Sequence, residues 1–116
     1  MGHREEPCDL IIDDEGFVVV FRGQILGDIR WMQVVSVEGA NLDGLVVVRF
    51  SRVGGGGRCN IDSDCNGFEW VMGLAVERVA GFPVDWQGQV LRHQPKGHTT
   101  CLLQTDRPSA TADGEA

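Results

Sequence analysis

Residues 66–83 read NGFEWVMGLAVERVAGFP, and this stretch predicts the one clear helix of the chain. Its apolar side chains recur at intervals of three and four residues, which places them on one face of a helix: Phe68, Val71, Met72, Ala75, Val76 and Val79. Asn66 and Glu69 have the spacing of a capping box, and the Gly-x-Pro sequence that follows is typical of a helix end. We therefore predict a helix near residues 67–80.

Gly73 lies inside this predicted helix, where glycine destabilises by about 1 kcal/mol relative to alanine. We expect a compensating reason, namely a close approach of the helix to a sheet at this residue.

The segments around the helix have the composition of β-strands. Runs of β-branched and aromatic residues predict strands at Asp9–Ile12, Phe17–Arg22, Ile25–Trp31, Gln33–Glu38, Leu45–Phe50 and Arg58–Asp62. An Asp-Gly step at residues 43–44 is typical of a hairpin turn. Gln89–His93 and Thr99–Gln104 flank a Pro-Lys-Gly sequence and suggest a C-terminal hairpin. The predicted fold is α+β, an antiparallel meander of about six strands with the single helix packed across one face.

The helix and the two strongest strands are expected to share one core. Its predicted members are Phe68, Met72, Val79, Val19, Val46 and Val48. Each of the three tryptophans, Trp31, Trp70 and Trp86, is interpreted as a core anchor, with a ligand-binding groove as the alternative.

Length and charge bound the organisation of the chain. With 116 residues, 42% of them hydrophobic, it is long enough for one globular domain. The formal net charge of −7 comes entirely from residues 1–16 and 105–116, so the body is formally neutral. We predict a flexible acidic N-terminus over 1–8, a single domain over 9–104 and a disordered tail over 105–116.

The same features exclude some partners and favour one compartment. An acidic chain disfavours binding to nucleic acid or an anionic membrane, and no run approaches the ~20 apolar residues of a membrane span. The polar N-terminus leads into no apolar segment of a secretory signal, and four cysteines are few for a disulfide scaffold. We predict a cytoplasmic protein with reduced thiols.

A cation site is one candidate. Asp62, Asp64 and Asn66 place side-chain oxygens at alternate positions followed by a glycine, as in the first half of a calcium loop. Position twelve of that loop is Gly73 instead of a bidentate glutamate. Capping of the helix that follows is the simpler interpretation of these residues.

The cysteines and histidines form a second candidate group. Their sulfur and nitrogen atoms are candidate ligands of a zinc ion, although their spacing matches no usual combination of zinc ligands: Cys59, Cys65, Cys101, His93 and His98. Burial in the core is the alternative for Cys101. A nucleophilic Cys65 is disfavoured because the aspartates beside it would raise its pKa.

A third candidate is the four-glycine run at 54–57, which is flanked by Arg52 and Arg58. Its backbone amides would suit a phosphate. The run lacks the Lys-Ser/Thr ending of a nucleotide P-loop, which favours a flexible hairpin connection instead.

Three segments together resemble a known pattern: Ile29-Arg30-Trp31, Gly67-Phe68 after an acidic turn, and Pro83-x-Asp85-Trp86. The pattern resembles a group of small uncharacterised bacterial proteins with an Ile-x-Trp strand motif and an acidic-Gly-Phe helix start. The first segment is also similar to that of bacterial pleckstrin-homology-like domains. The second resemblance implies a small sheet that binds partners, and both imply structural anchors and not catalytic groups.

These observations predict a non-enzymatic binding or interaction module that needs no cofactor and whose partner is another protein or a small ligand. Such domains bind at an exposed sheet edge or in the groove beside a helix. The alternatives are a cation-binding regulator or metal-dependent enzyme that uses the acidic turn at 62–66, and a cysteine-dependent enzyme.

Overall fold

The computed structural model describes residues 8–42, 44–53, 57–92 and 99–104, and it contains two antiparallel sheets and two helices over these residues. The predicted α+β class is therefore confirmed. The prediction of one sheet of about six strands and one helix is wrong, because the seven strands divide between two sheets and a second helix is present. Of the predicted flexible N-terminus over 1–8, residues 1–7 lie outside the described residues, as does the predicted tail over 105–116, while Cys8 is described and buried.

The first sheet is a three-stranded meander of β1 (Asp9–Asp13), β2 (Gly16–Phe21) and β3 (Gln24–Arg30). The turn from β1 to β2 is closed by Asp13, whose Oδ1 accepts hydrogen bonds from two backbone amides, 2.9 and 3.0 Å away. Gly16 is required because a Cβ there would lie 1.8 Å from the carbonyl oxygen of Ile29 on β3.

The second sheet has the order β6-β5-β4-β7. Its strands are β4 (Val34–Leu42), β5 (Leu45–Arg52), β6 (Arg58–Asp62) and β7 (Thr99–Gln104). A 3₁₀ turn at Trp31–Gln33 leads from the first sheet into β4. The predicted β4–β5 hairpin is confirmed: Leu42 pairs with Leu45, and Gly44 has a φ of 97°. Asp43 lies outside the described residues.

Helix α1 spans Phe68–Arg78, close to the predicted bounds. The predicted capping box is wrong, because the N-cap residue is Gly67 with a φ of 94° and no side chain caps the helix. Asn66 instead joins α1 to the first sheet: its N–H donates to the Cys8 carbonyl (2.8 Å), and its own carbonyl accepts from the Leu10 N–H (3.0 Å). A bond to a distant strand takes the place of the local cap.

Helix α2 spans Trp86–Arg92, where a strand of a C-terminal hairpin was predicted. The prediction was wrong because Trp86 and Val90, four residues apart, are both buried on one helical face. Gly39 on β4 makes room for that face, since a Cβ there would lie 2.6 Å from the Val90 Cγ2. Strand β7 pairs with β4 instead of with residues 89–93.

A single core joins the two sheets and the helices. The Phe17 ring on β2 packs against Phe50 on β5 and against Trp31, with centroid distances of 5.4 and 5.6 Å. All six residues predicted for the core are buried. Trp31 and Trp86 are core anchors as expected, whereas Trp70 is not, because 66% of its surface is exposed on the outer side of α1.

Gly73 also lies on the outer side of α1, and a Cβ at this residue would meet no atom within 4 Å. The expected close approach to a sheet is therefore wrong. None of the described helices has the length and apolar composition needed to cross a membrane.

An added methyl group is expected to change the free energy of unfolding in opposite directions at Gly73 and at Gly39. Gly73→Ala is expected to raise the free energy of unfolding by about 0.5–1 kcal/mol, because alanine favours the helix and meets no neighbour. Gly39→Ala is expected to lower it by about 1–3 kcal/mol, because the methyl group overlaps Val90. Urea denaturation of both variants measures the difference, and equal signs would contradict this account of the packing.

Candidate ligand-binding cleft

Strand β6 forms one edge of the second sheet, and β5 is its only ladder partner among the described strands. Two bonds fix which backbone groups face β5: Arg52 N–H donates to the Gly57 carbonyl (3.1 Å), and Ser63 N–H donates to the Val46 carbonyl (2.8 Å). In an antiparallel ladder such pairs alternate, so the backbone groups of Arg58 and Asn60 point away from β5. Asp62 points the same way, but its C=O accepts the Cys65 N–H (2.9 Å), so the edge presents the N–H and C=O groups of Arg58 and Asn60.

A cleft of about 500 Å³ lies beside this edge. Its walls come from the chain before β1, from β2 and β3 of the first sheet, and from β5 and β6 of the second: Cys8, Val19, Phe21, Leu26, Val47, Arg58, Cys59, Asn60, Ile61 and Asp62. The volume falls in the range of about 300–1,000 Å³ found for small-molecule sites. The cleft exists because β6 belongs to one sheet and the β2–β3 hairpin to the other.

The β2–β3 hairpin supplies the apolar wall of the cleft. Val19 is buried, Phe21 is half-buried and Leu26 is exposed over 59% of its surface. A register shift between Val19 and Val20 disturbs the strict alternation of side chains along the hairpin. Ile25 and Leu26 are consequently both exposed, but of the two only Leu26 lines the cleft.

Charged groups lie at the two ends of β6. Asp62 is buried, and its Oδ1 accepts the Asp64 N–H at 3.0 Å and lies 3.7 Å from the Cys65 thiol. Arg58, by contrast, is exposed and forms no ion pair with another described residue. Five other arginines do pair with carboxylates: Arg30, Arg49, Arg52, Arg78 and Arg92. The cleft thus offers one cationic group to a ligand.

Burial of the Cys59 thiol raises its pKa from the ordinary 9.0 to about 11. The Arg52 guanidinium acts in the opposite direction, while Asp28 and Cys65 add to the rise. The thiol packs closely on β3, since a Cβ at Gly27 would lie 3.2 Å from its Sγ. At neutral pH Cys59 is therefore a protonated, apolar part of the wall and a poor nucleophile.

The acidic turn predicted as a cation site has other bonding partners. The carboxylate of Asp62 closes the turn after β6, and the Asn66 side-chain amide donates to Asp9 Oδ1 at 2.7 Å. No group of three or more His, Cys, Asp or Glu side chains within the described ranges is arranged to hold a metal ion.

The three cysteines predicted as zinc ligands do not come together in one place. Cys59 and Cys65 are buried in the core, whereas Cys101 is exposed on β7, where core burial was the alternative prediction. His93 and His98 lie outside the described residues.

The residues predicted for binding do not form one site either. Of Trp31, Trp70, Trp86, Arg52 and Arg58, only Arg58 lines the cleft. Arg52 pairs with Asp28 at 3.3 Å, and Trp31 lines a separate hollow of about 320 Å³ near the end of α1. Gly54, Gly55 and Gly56 of the predicted phosphate loop lie outside the described residues.

Sequence reasoning missed the apolar wall of the cleft. The adjacent aliphatic residues Ile25 and Leu26 were the available signal, because two neighbouring apolar side chains in a short strand cannot both enter one core. Which of the two faces a cleft depends on the second sheet, which the local sequence does not specify.

Comparison of the chain with family models, with curated proteins and with solved structures gives no match. The assignment of a function therefore depends on the geometry of the cleft.

The raised pKa of Cys59 predicts a loss of stability at alkaline pH. The unfolded thiol ionises near pH 9.0 and the folded thiol near pH 11, so the folded state holds its proton longer. Stability from this group is complete below pH 9 and decreases as the pH rises through 11, by at most about 3 kcal/mol, since one pKa unit corresponds to about 1.4 kcal/mol. Urea denaturation at pH 8, 9, 10 and 10.5 measures this slope.

Substitution of a second cysteine is the control for this dependence of stability on pH. Cys59→Ala is expected to flatten the decrease, whereas Cys101→Ala, at an exposed site, leaves it unchanged. The chain has no tyrosine and only one lysine, Lys96, so few other groups titrate in this range. Identical slopes for both variants would contradict the raised pKa.

Proposed function

We propose that this protein is a non-enzymatic binding module whose ligand occupies the cleft beside β6. The observation that carries this proposal is the coincidence of a 500 Å³ cleft, one wall of which is apolar, with a sheet edge that no other described strand covers. An apolar hollow with a few convergent polar groups is the usual form of a ligand site.

The chemistry of the cleft supports binding better than catalysis. Its thiol Cys59 is protonated at neutral pH, and the carboxylate of Asp62 already accepts a backbone N–H. A protonated thiol is a poor nucleophile, and a carboxylate that is bonded within its own turn is poorly placed to act as a general base. Among the described residues, the outward backbone groups of Arg58 and Asn60 and the Arg58 guanidinium are left for a ligand.

We also propose that the protein works in the cytoplasm. All four cysteines are free, and three of them are buried, so the fold is complete with reduced thiols. The resemblance to pleckstrin-homology-like domains, whose small sheets bind partners, agrees with a binding role. The cation-binding and cysteine-dependent alternatives remain predictions that no contact among the described residues favours.

The cleft is tested with a neutral apolar probe, N-phenyl-1-naphthylamine. We expect saturable binding with a stoichiometry of one, and amide chemical-shift changes at the residues that line the cleft, in the segments 19–26 and 58–62 and at Cys8 and Val47. Leu26→Glu is expected to weaken binding about tenfold or more, because it removes an apolar wall and adds a charge.

Ile25→Glu is the matched control. Ile25 is an exposed aliphatic residue on the same strand but does not line the cleft, so this variant should bind the probe normally. Both variants should unfold at nearly the wild-type temperature, because both side chains are largely exposed. Equal loss in both variants, or shift changes elsewhere, would overturn the proposal.

A further inference from the structure

We propose that the natural occupant of the cleft is an extended peptide segment of a partner protein, which adds to β6 as a fifth strand of the second sheet. It places apolar side chains against the wall formed by Val19, Phe21 and Leu26, and an acidic side chain against Arg58. This inference rests on the proposed function and specifies the ligand of the same site.

The backbone of β6 is the first support. Arg58 and Asn60 direct their N–H and C=O groups away from β5, and no backbone hydrogen bond joins these groups to another described residue. A peptide strand can satisfy all four groups. One peptide residue would lie opposite Arg58 and another opposite Asn60, and each would exchange two hydrogen bonds with its partner. A compact small molecule matches one or two of them, so the regular spacing along the edge favours a polypeptide.

The wall opposite the edge is the second support. Side chains of an added strand alternate between the two faces of the sheet. Those on the inner face would meet Val19, Phe21 and Leu26, which the hairpin holds beside the edge. Those on the outer face would lie near Val47 and Asn60. The site therefore selects apolar residues at alternate positions of the peptide.

The charge of the cleft is the third support. Arg58 lies at the start of β6 and has no carboxylate partner among the described residues, unlike the five paired arginines. An added strand brings a side chain within reach of this guanidinium, and a glutamate or aspartate there completes an ion pair. A lysine at the same place would be repelled. The preferred segment thus alternates acidic and apolar residues.

Of the three outward-facing residues of β6, Asp62 already accepts the Cys65 N–H with its C=O, which leaves Arg58 and Asn60 for a peptide. The peptide therefore forms about four backbone hydrogen bonds, and we expect dissociation constants of about 10–1,000 µM. The probes are four acetylated, amidated hexapeptides of the form Glu-X-Glu-X-Glu-X, with X as Leu, Ile, Val or Phe. Two-dimensional amide NMR of the full chain measures binding. We expect saturable shifts at residues 58–62, slower amide exchange at Arg58 and Asn60, and cross-strand nuclear Overhauser contacts from the peptide to both.

A pair of N-methylated isomers separates strand addition from other binding. Methylation of every X residue blocks one edge of the peptide, and methylation of every Glu blocks the opposite edge. One isomer is expected to lose at least about tenfold in affinity and the other to bind nearly as the parent, because a single edge faces β6. Equal affinities of the two isomers would overturn strand addition.

Variants with the same net charge test the ion pair. Arg58→Glu is expected to weaken the Glu peptides about tenfold or more and to strengthen peptides with Lys in place of Glu. Arg92→Glu changes the net charge equally, but Arg92, at the end of α2, pairs with Asp85 and does not line the cleft. This control should leave both peptide series unchanged, and the same response in both variants would contradict the role of Arg58.

Two further outcomes would overturn the peptide proposal and leave the proposed function standing. In one, decanoate and the naphthylamine probe bind in the cleft while all four peptides fail, so the ligand is a small amphiphile. In the other, amide protection at Arg58 and Asn60 increases with protein concentration alone, so a second copy covers the edge. If the naphthylamine probe also fails, the proposed function itself is wrong.

Discussion

The packing of Phe17 against Phe50 and Trp31 is the contact on which the arrangement of the two sheets depends. Phe17 belongs to the first sheet, Phe50 to the second, and Trp31 to the turn between them. Aromatic contacts of this kind each add about 0.5–1.5 kcal/mol beyond the burial of their surface. This aromatic cluster holds the two sheets together through β2 and β5. Strand β6 therefore lies beside the β2–β3 hairpin, but no backbone ladder pairs β6 with that hairpin.

Two secondary contacts hold this arrangement at its ends. Asn66 ties the start of α1 to β1 through backbone bonds to Cys8 and Leu10, and Arg52 ties the end of β5 to Asp28 on β3. Both contacts join residues more than 20 positions apart in the chain. The walls of the cleft are therefore joined by contacts between distant parts of the chain, which reduces the ordering of the protein that binding requires.

The chemistry of the cleft follows from which polar groups the fold has already satisfied. Asp62 accepts a hydrogen bond from the turn after β6, and burial keeps the Cys59 thiol protonated. The outward backbone groups of Arg58 and Asn60 and the guanidinium of Arg58 have no such partners among the described residues. A site with unsatisfied backbone groups, an apolar wall and one cation is suited to recognition, which is why we interpret this protein as a binding module.

The sequence by itself determined helix α1, the strong strands β2 and β5, their buried residues and the glycine turn at Gly44. Periodicity and turn chemistry act between neighbours in the chain, so these elements are readable locally. Only the tertiary structure decided that the strands form two sheets, that residues 86–92 are helical, and that β5 is the one described strand that pairs with β6. A short apolar segment suits either a strand or a helix, and its choice depends on distant partners such as Gly39, which the local pattern does not encode.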